Sequence, residues 1–242
     1  MKLLSSRRFY AIYSGVLTAA LAVILFTGFD ISGRQQKSKL RELTVQRINV
    51  VEPDGTLRMV ISGKGRAPGI YIRNQERLEG HHSNRAGLWF MNDEGTETGG
   101  LTFSGYRDAD GHIRTNGHLG FDRYLQDQVI TFSAQQVDDQ RATSVNMLDQ
   151  PAWPITDYIE LIERIENLPP AEQQAEIAEF LATHESGASR LSLGRRPDRS
   201  VGLELKDEAG RPRAILRVEA NGTARLQFLD EQGNVVSQFP DA

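Results

Sequence analysis

Apolar and polar residues alternate with a period of two along much of this chain. In the C-terminal part Val201, Leu203 and Leu205 alternate with Gly202, Glu204 and Lys206, and Ala214, Leu216 and Val218 follow in the same phase. Leu226 and Phe228 resume the pattern, and Val235 to Phe239 closes it. This period predicts strands with one face buried. Between the runs lie Asp207-Glu208-Ala209-Gly210, Asn221-Gly222 and Asp230 to Gly233. Clusters of that kind supply the positive φ of tight hairpins. The stretch therefore predicts a meander of about four short strands.

The same unit recurs. Leu43 to Ser62 reads as two strands around Pro53-Asp54-Gly55 and aligns without a gap on the C-terminal hairpin. Gly55 falls on Gly210, Arg58 on Arg213 and Ile61 on Leu216. Gly87 to Phe103 is a third copy, with Gly95 on Gly210 and Leu101 on Leu216. After an insertion at Ser104 to Gly117, Leu119 and Phe121 match Leu226 and Phe228, and Val129 and Phe132 match Val236 and Phe239. Gly63 to Arg85 reads as a loop with one strand at Ile70 to Ile72. Repetition of a small β unit predicts copies that bury their apolar faces against one another.

Pro154 to Glu185 breaks the β pattern. Ile155, Tyr158, Ile159, Ile162 and Ile165 recur at three and four residues, with Thr156 or Asp157 as a cap. Leu168-Pro169-Pro170 ends this helix, and Pro170 opens another whose buried face is marked by Ile177, Ala178, Phe180 and Leu181. The outer face is acidic: Asp157, Glu160, Glu163, Glu166, Glu172, Glu176, Glu179 and Glu185 stand against Arg164 alone. It reads as a solvated face or as a docking surface for a basic protein partner.

At the N-terminus, Phe9 to Phe29 is free of charge and, at 1.5 Å per residue, roughly 31 Å long as a helix. A cleaved signal peptide competes with a membrane anchor here. The bulky Leu25-Phe26-Thr27-Gly28-Phe29 lacks a small-x-small cleavage site and favours the anchor. Lys2, Arg7 and Arg8 on one flank nearly balance Arg34, Lys37, Lys39 and Arg41 on the other. The short basic tail selects a cytoplasmic N-terminus and an extracytoplasmic β region. The expected organisation is a tail and transmembrane helix at 1–29, a stem at 30–42, a first β-repeat region at 43–153, a helical hairpin at 154–186 and a C-terminal β-repeat region at 187–242.

Composition narrows the chemistry. The net charge of −4 gives no basic field for nucleic acid. The absence of cysteine removes disulfides, thiolate metal sites and thiol nucleophiles. Ser104-Gly105 and Ser186-Gly187 lack a nucleophile elbow, and no phosphate-binding glycine loop occurs, so no catalytic residue and no cofactor are assigned. Asp108-Ala109-Asp110-Gly111 starts like a calcium loop but lacks the later donors, and reads more simply as a hydrophilic turn. His81, His82, His112 and His118 with Asp110 make a weak metal candidate, without ligand spacing, against solvated loop histidines. Arg195-Arg196-Pro197-Asp198-Arg199 reads as a basic hairpin tip, or as a contact for anionic lipid or polysaccharide.

The segments Ile48-Asn-Val-Val-Glu-Pro-Asp-Gly-Thr-Leu-Arg, Gly87-Leu-Trp-Phe-Met-Asn-Asp-Glu-Gly and Leu226-Gln-Phe-Leu-Asp-Glu-Gln-Gly resemble a family of bacterial proteins with an N-terminal membrane helix and repeated hairpins. The resemblance covers most of the chain outside the helical insertion. It implies fold rather than activity, and no residue role carries over. The expectation is a mainly β chain, with repeated hairpins in one barrel- or solenoid-like sheet system, an inserted helical hairpin and a transmembrane helix. The expected function is a single-pass envelope protein that binds or scaffolds without catalysis, held in lipid by its N-terminal helix. The alternative is an enzyme acting on envelope polysaccharide through loop carboxylates, Asp108 or Asp110 with Asp122 or Asp127.

Overall fold

The computed structural model describes residues 6–28 and 39–241, and of residues 6–9, 12 and 23–28 the backbone only. The chain divides into two compact units, Met1–Thr44 and Val45–Ala242. The first holds one helix, α1 (Ser6–Gly28). Among the described residues no helix is long and apolar enough to cross a membrane. Phe29 and most of the expected stem lie outside the described residues, as do the side chains at both ends of α1.

The second unit is built on one antiparallel sheet. Its strands are β1 (Arg47–Val51), β2 (Leu57–Ser62), β5 (Ala86–Met91), β6 (Glu97–Arg107), β7 (Ile113–Asp122), β8 (Gln128–Val137), β9 (Gln140–Asp149), β10 (Ala188–Arg195), β11 (Val201–Lys206), β12 (Pro212–Val218), β13 (Ala224–Leu229) and β14 (Val235–Phe239). They lie side by side in that order. A separate two-stranded ribbon pairs β3 (Ile70–Ile72) with β4 (Gln75–Arg77). Helices α2 (Ile155–Ile165) and α3 (Pro170–Thr183) fall between β9 and β10.

The repeat alignment holds at the level of register. Val50 faces Met59, Phe90 faces Gly99 and Leu205 faces Ala214, and each pair is followed by a register shift. Phe121–Ile130 and Phe228–Ser237 show the same shift. Beyond each shift the chain makes one kind of turn, in which the first N–H donates to the carbonyl four residues on: Glu52 to Thr56, Asn92 to Thr96, Asp207 to Arg211. The fourth position of these three turns has φ of 90°, 70° and 74° at Gly55, Gly95 and Gly210. An L-side chain resists that region, which is why glycine recurs there.

The sheet is open rather than barrel-like: β1 and β14 are its two ends. Each hairpin meets only its neighbours, so the repeats extend in one direction and never return to close. The two meanders join directly, because β10 comes back from the helices to pair with β9, setting Leu193 against Val145. The Ser104 to Gly117 insertion proves to be an extension of the hairpin itself, with pairing as far as Arg107–Ile113.

The pairings place one residue of each strand in a single row. It runs Ile48, Ile61, Leu88, Leu101, Leu119, Phe132, Val145, Leu193, Leu203, Leu216, Leu226 and Phe239. The opposite face carries Val60 and Trp89 at one end and Ser192, Glu204 and Gln227 at the other. The chain's own core lies on this second face, where Leu57, Val60, Ala67, Trp89 and Met91 pack with Tyr71.

The helical hairpin forms as the periodicity requires, with two differences. In α2 the buried residues are Ile159, Leu161 and Ile165, and the helix starts after Pro154 without a side-chain cap. In α3 no residue is buried, and Leu181 is 53% exposed. The expected buried face of α3 is therefore only skirted, by Phe180 stacking on His184 and meeting Trp153 edge-on.

Candidate functional site

The C-terminal meander has a turn Asp230-Glu231-Gln232-Gly233-Asn234. The first meander has Arg123-Tyr124-Leu125-Gln126-Asp127 at the same place, with the same first hydrogen bond, Arg123 N–H to Asp127 carbonyl. Here the glycine is missing. Leu125 takes the positive φ, at 49°, and Gln126 turns inward until only 7% of it is exposed. Its Nε2 donates to the Trp153 carbonyl at 2.6 Å, and the Leu125 carbonyl accepts from the Ile155 N–H at 2.8 Å. Arg123 Nη1 donates to the Gln150 and Pro151 carbonyls at 3.0 and 2.8 Å. This turn thus fixes the start of α2.

Two further contacts close the arrangement. Arg77 of β4 forms a two-pronged pair with Glu163 of α2, its Nε 2.6 Å from Oε1. The ribbon is held to the sheet by Asn74 N–H to the Gly95 carbonyl and by Arg73 N–H to Thr96 Oγ1, at 3.0 and 2.9 Å. Sheet, ribbon and α2 enclose a cleft of about 440 Å³. One wall is apolar, with Ile70, Ile72, Leu125, Ile155, Ile159 and Ile162. The other holds His81, His82, Arg85, Glu97, Asp122 and Asp127. Volume, apolar lining and a few converging polar groups are what small-molecule sites share.

Asp122 is the most perturbed member. It ends β7 opposite Gln128. Burial first, then the Glu97 and Asp127 charges, push its carboxyl up to about 7. Its Oδ1 is buried without a protein partner. Glu97 pairs with His82, Oε1 to Nε2, at 3.2 Å, while the His82 ring leans on Trp89 at 5.4 Å and leaves its Nδ1 buried and unpartnered. His81 meets His82 edge-on at 4.7 Å. Desolvation, followed by the His82 charge, holds its pKa below the usual histidine value. Behind the cleft a water-sized space of about 30 Å³ is lined by His82, Glu97, Thr102, His118 and Asp122. Thr102 is 4% exposed and its Oγ1 also lacks a protein partner.

The candidates proposed from sequence separate here. His81 and His82 sit in the cleft, and His118 borders the space behind it, with Nδ1 3.0 Å from Ser133 Oγ and Nε2 3.0 Å from Gln128 Oε1. Asp108, Asp110 and His112 lie at the far turn of the β6–β7 hairpin, some nine residues and about 30 Å along β7 from Asp122. Asp108 caps its own turn, accepting from the N–H groups of Asp110 and His112 at 3.1 and 2.9 Å. His112 Nδ1 lies 3.0 Å from Asp138 Oδ2. The calcium-like spelling is thus a turn signal. Asp108 or Asp110 cannot act with Asp122 or Asp127, and the histidines do not converge with Asp110. Among the described residues no group of three or more histidine or acidic side chains is placed to hold a metal ion.

Glu97, Arg85 and Gln126 were missed by motif reading. A signal existed in the repeat itself. Glu97 and Asp122 stand where the C-terminal copy has Pro212 and Leu229, each at the first pair beyond the register shift. Carboxylates in places that the other copy fills with apolar residues mark the site. No protein-family model matches the chain, and no curated protein or solved structure matches it.

Proposed function

We propose that this is a membrane-anchored envelope protein with a non-catalytic binding role, and that the cleft between β7, β8 and α2 is its binding site. The observation that carries this reading is Asp122, a buried carboxyl with an unpartnered oxygen beside two further carboxylates and against an isoleucine wall. A compact ammonium group satisfies the free oxygen, and an apolar body fills the wall. The ligand class is therefore a small cation with an apolar part.

Hexylamine is a direct probe. Titrated into the full-length protein in detergent, it should bind more tightly at pH 8 than at pH 6, because deprotonated Asp122 supplies the counter-charge. Asp122→Asn should bind at least tenfold more weakly at pH 8. Equal binding by the variant would remove the cleft from the reading.

Phe9 to Phe29 supports the anchor, with the N-terminus cytoplasmic and the β region outside, in keeping with the resemblance to membrane-anchored hairpin-repeat proteins. Intact mass and alkaline extraction of membranes test it: loss of the first 25 to 30 residues, as signal cleavage produces, or release at high pH, would refute the anchor. The exposed Glu160, Glu166, Glu172 and Glu179 offer a basic protein partner a docking face.

A second reading is favoured by the same carboxyl. An acid with a pKa near neutrality beside further acidic side chains is the equipment of glycoside hydrolysis, and Asp122 with Glu97 or Asp127 replaces the pair expected from sequence. Release of reducing ends from envelope polysaccharide, abolished by Asp122→Asn, would establish it.

A further inference from the structure

The face of the sheet away from Trp89 and the cleft raises a separate question. The central row crosses all twelve strands without a charged residue. The neighbouring row, from Val50 and Met59 through Phe121 and Met147 to Leu205 and Phe228, is also free of charge. The chain's own coverage, the ribbon, the 78–85 loop and α2, lies on the Trp89 side. Phe132, Leu193 and Leu216 stay 43%, 45% and 50% exposed. Soluble chains rarely leave so large an apolar surface bare.

We infer that a second copy of this chain covers this face, forming a two-layer sandwich. The area fits. Twelve strands span about 53 Å, and three rows reach about 14 Å along the strands, giving about 750 Å² per copy, close to the roughly 800 Å² per partner of a stable interface. The shape fits as well. A trough of about 460 Å³ opens over Gly117 and Ala134, between Phe103 and Phe132, and gives a facing side chain somewhere to insert.

Charge selects the occupant and its orientation. The hairpin turns that border the neighbouring row carry exposed Asp54, Asp93, Glu94, Glu208 and Glu231. An acidic border repels the anionic surface of a membrane, so lipid is a poor cover. The turns at the opposite strand ends are mixed in charge, with exposed Arg107, Arg141 and Arg199 beside exposed Asp110, Asp139 and Asp198. A two-fold axis lying along the rows sets each strand antiparallel to its copy and holds the two acidic borders apart. One self-complementary surface then satisfies both copies.

The absence of cysteine makes the test clean. Packed sheets lie about 10 Å apart, so a short bismaleimide bridges equivalent positions across the axis. Full-length Leu193→Cys and Leu216→Cys should each cross-link to twice the chain mass. Ser192→Cys, one residue away on the other face, should not. Sedimentation of the unmodified protein in detergent should give a dimer, and Leu216→Glu should lower the dimer's stability at least tenfold. Several outcomes would overturn the inference: a monomer on sedimentation, cross-linking that is equal at position 192, or Leu193→Cys that takes a monofunctional maleimide freely but forms no cross-link. Quenching of a fluorophore at position 193 by brominated lipid would assign the face to the membrane instead, and would also overturn it. Hexylamine binding is read in the cleft on the opposite face, so the two proposals fail independently.

Discussion

The meander of β5 to β8 and the meander of β11 to β14 share register, register shifts and turn hydrogen bonds. The cleft is built on the first. At three equivalent places it exchanges Pro212 for Glu97, Leu229 for Asp122 and Gly233 for Gln126. The C-terminal copy meets solvent instead, through polar ladders such as Arg196–Glu204–Arg217. The comparison teaches that the strand framework is indifferent to the site. A site arises where strand-end positions change from apolar to acidic and a turn residue reaches sideways to fasten a helix.

The comparison is tested most strongly at Asp122. Its folded pKa of about 7 lies above the unfolded 3.8, so the native state keeps a proton that the unfolded chain has released. Stability from this group is therefore present at low pH and lost as pH rises through about 4 to 7. Asp122→Asn cannot ionise. Its stability relative to the natural protein should rise by a few kcal/mol between pH 3.5 and pH 8, at about 1.4 kcal/mol per pKa unit. Chemical denaturation at both pH values measures the difference, and a constant gap would show that Asp122 is not desolvated.

Gly99 and Ala214 occupy one place in the two copies, each opposite the residue before the register shift. In the first copy φ is 143°, and a Cβ there would lie 2.4 Å from the Gly120 carbonyl oxygen. Gly99→Ala should cost about 3 kcal/mol, from close packing and backbone strain together. Ala214→Gly should cost only about 0.5–1 kcal/mol, the entropy of the added freedom. Equal losses in denaturant midpoint would mean that the two copies have the same backbone there.

Gln126→Gly restores the repeat's glycine and removes the bond to the Trp153 carbonyl. A cost of about 1–2 kcal/mol is expected, with faster amide exchange at the start of α2. Gly210→Ala should cost about 1 kcal/mol. Its φ is 74°, yet the nearest atom to an added Cβ is 3.8 Å away, so conformation alone resists it. At Gly95, with φ 70°, the backbone N of Asn74 would lie 2.9 Å away. Gly95→Ala should therefore cost more, and thermal melts of the pair separate strain from crowding.

Much of this architecture could be read from the residues. Period-two alternation and glycine-closed turns are local properties, and they gave the hairpins, their alignment and the positive φ at Gly55, Gly95 and Gly210. The helical hairpin was legible for the same reason. Closure was not, because whether a sheet returns on itself depends on twist accumulated over twelve strands, which no local pattern carries. The exposed α3 was also unreadable, since Ile177 and Leu181 have helical spacing whether or not anything lies beneath them. Of the candidate site residues, His81 and His82 were placed in the right loop, but spelling drew attention to Asp108 and Asp110, which cap a turn. Asp122 and Asp127 were named only as partners of those two; Glu97, which converges with them from another strand, is announced only by its departure from the repeat.

One further feature bears on how such a chain behaves at high local concentration. An open sheet offers two unpaired strand edges, each able to recruit a strand from another molecule. Here β7, β8 and β9 have ten residues each, while the end strands β1 and β14 have five. Pro240 stands immediately beyond β14 and cannot donate a ladder hydrogen bond. The sheet thus tapers toward both rims, and its capacity for templated growth is least where the backbone is bare. Repeats of one hairpin can be added in evolution by duplication at the centre, while the ends keep the chain from continuing that addition as a fibre.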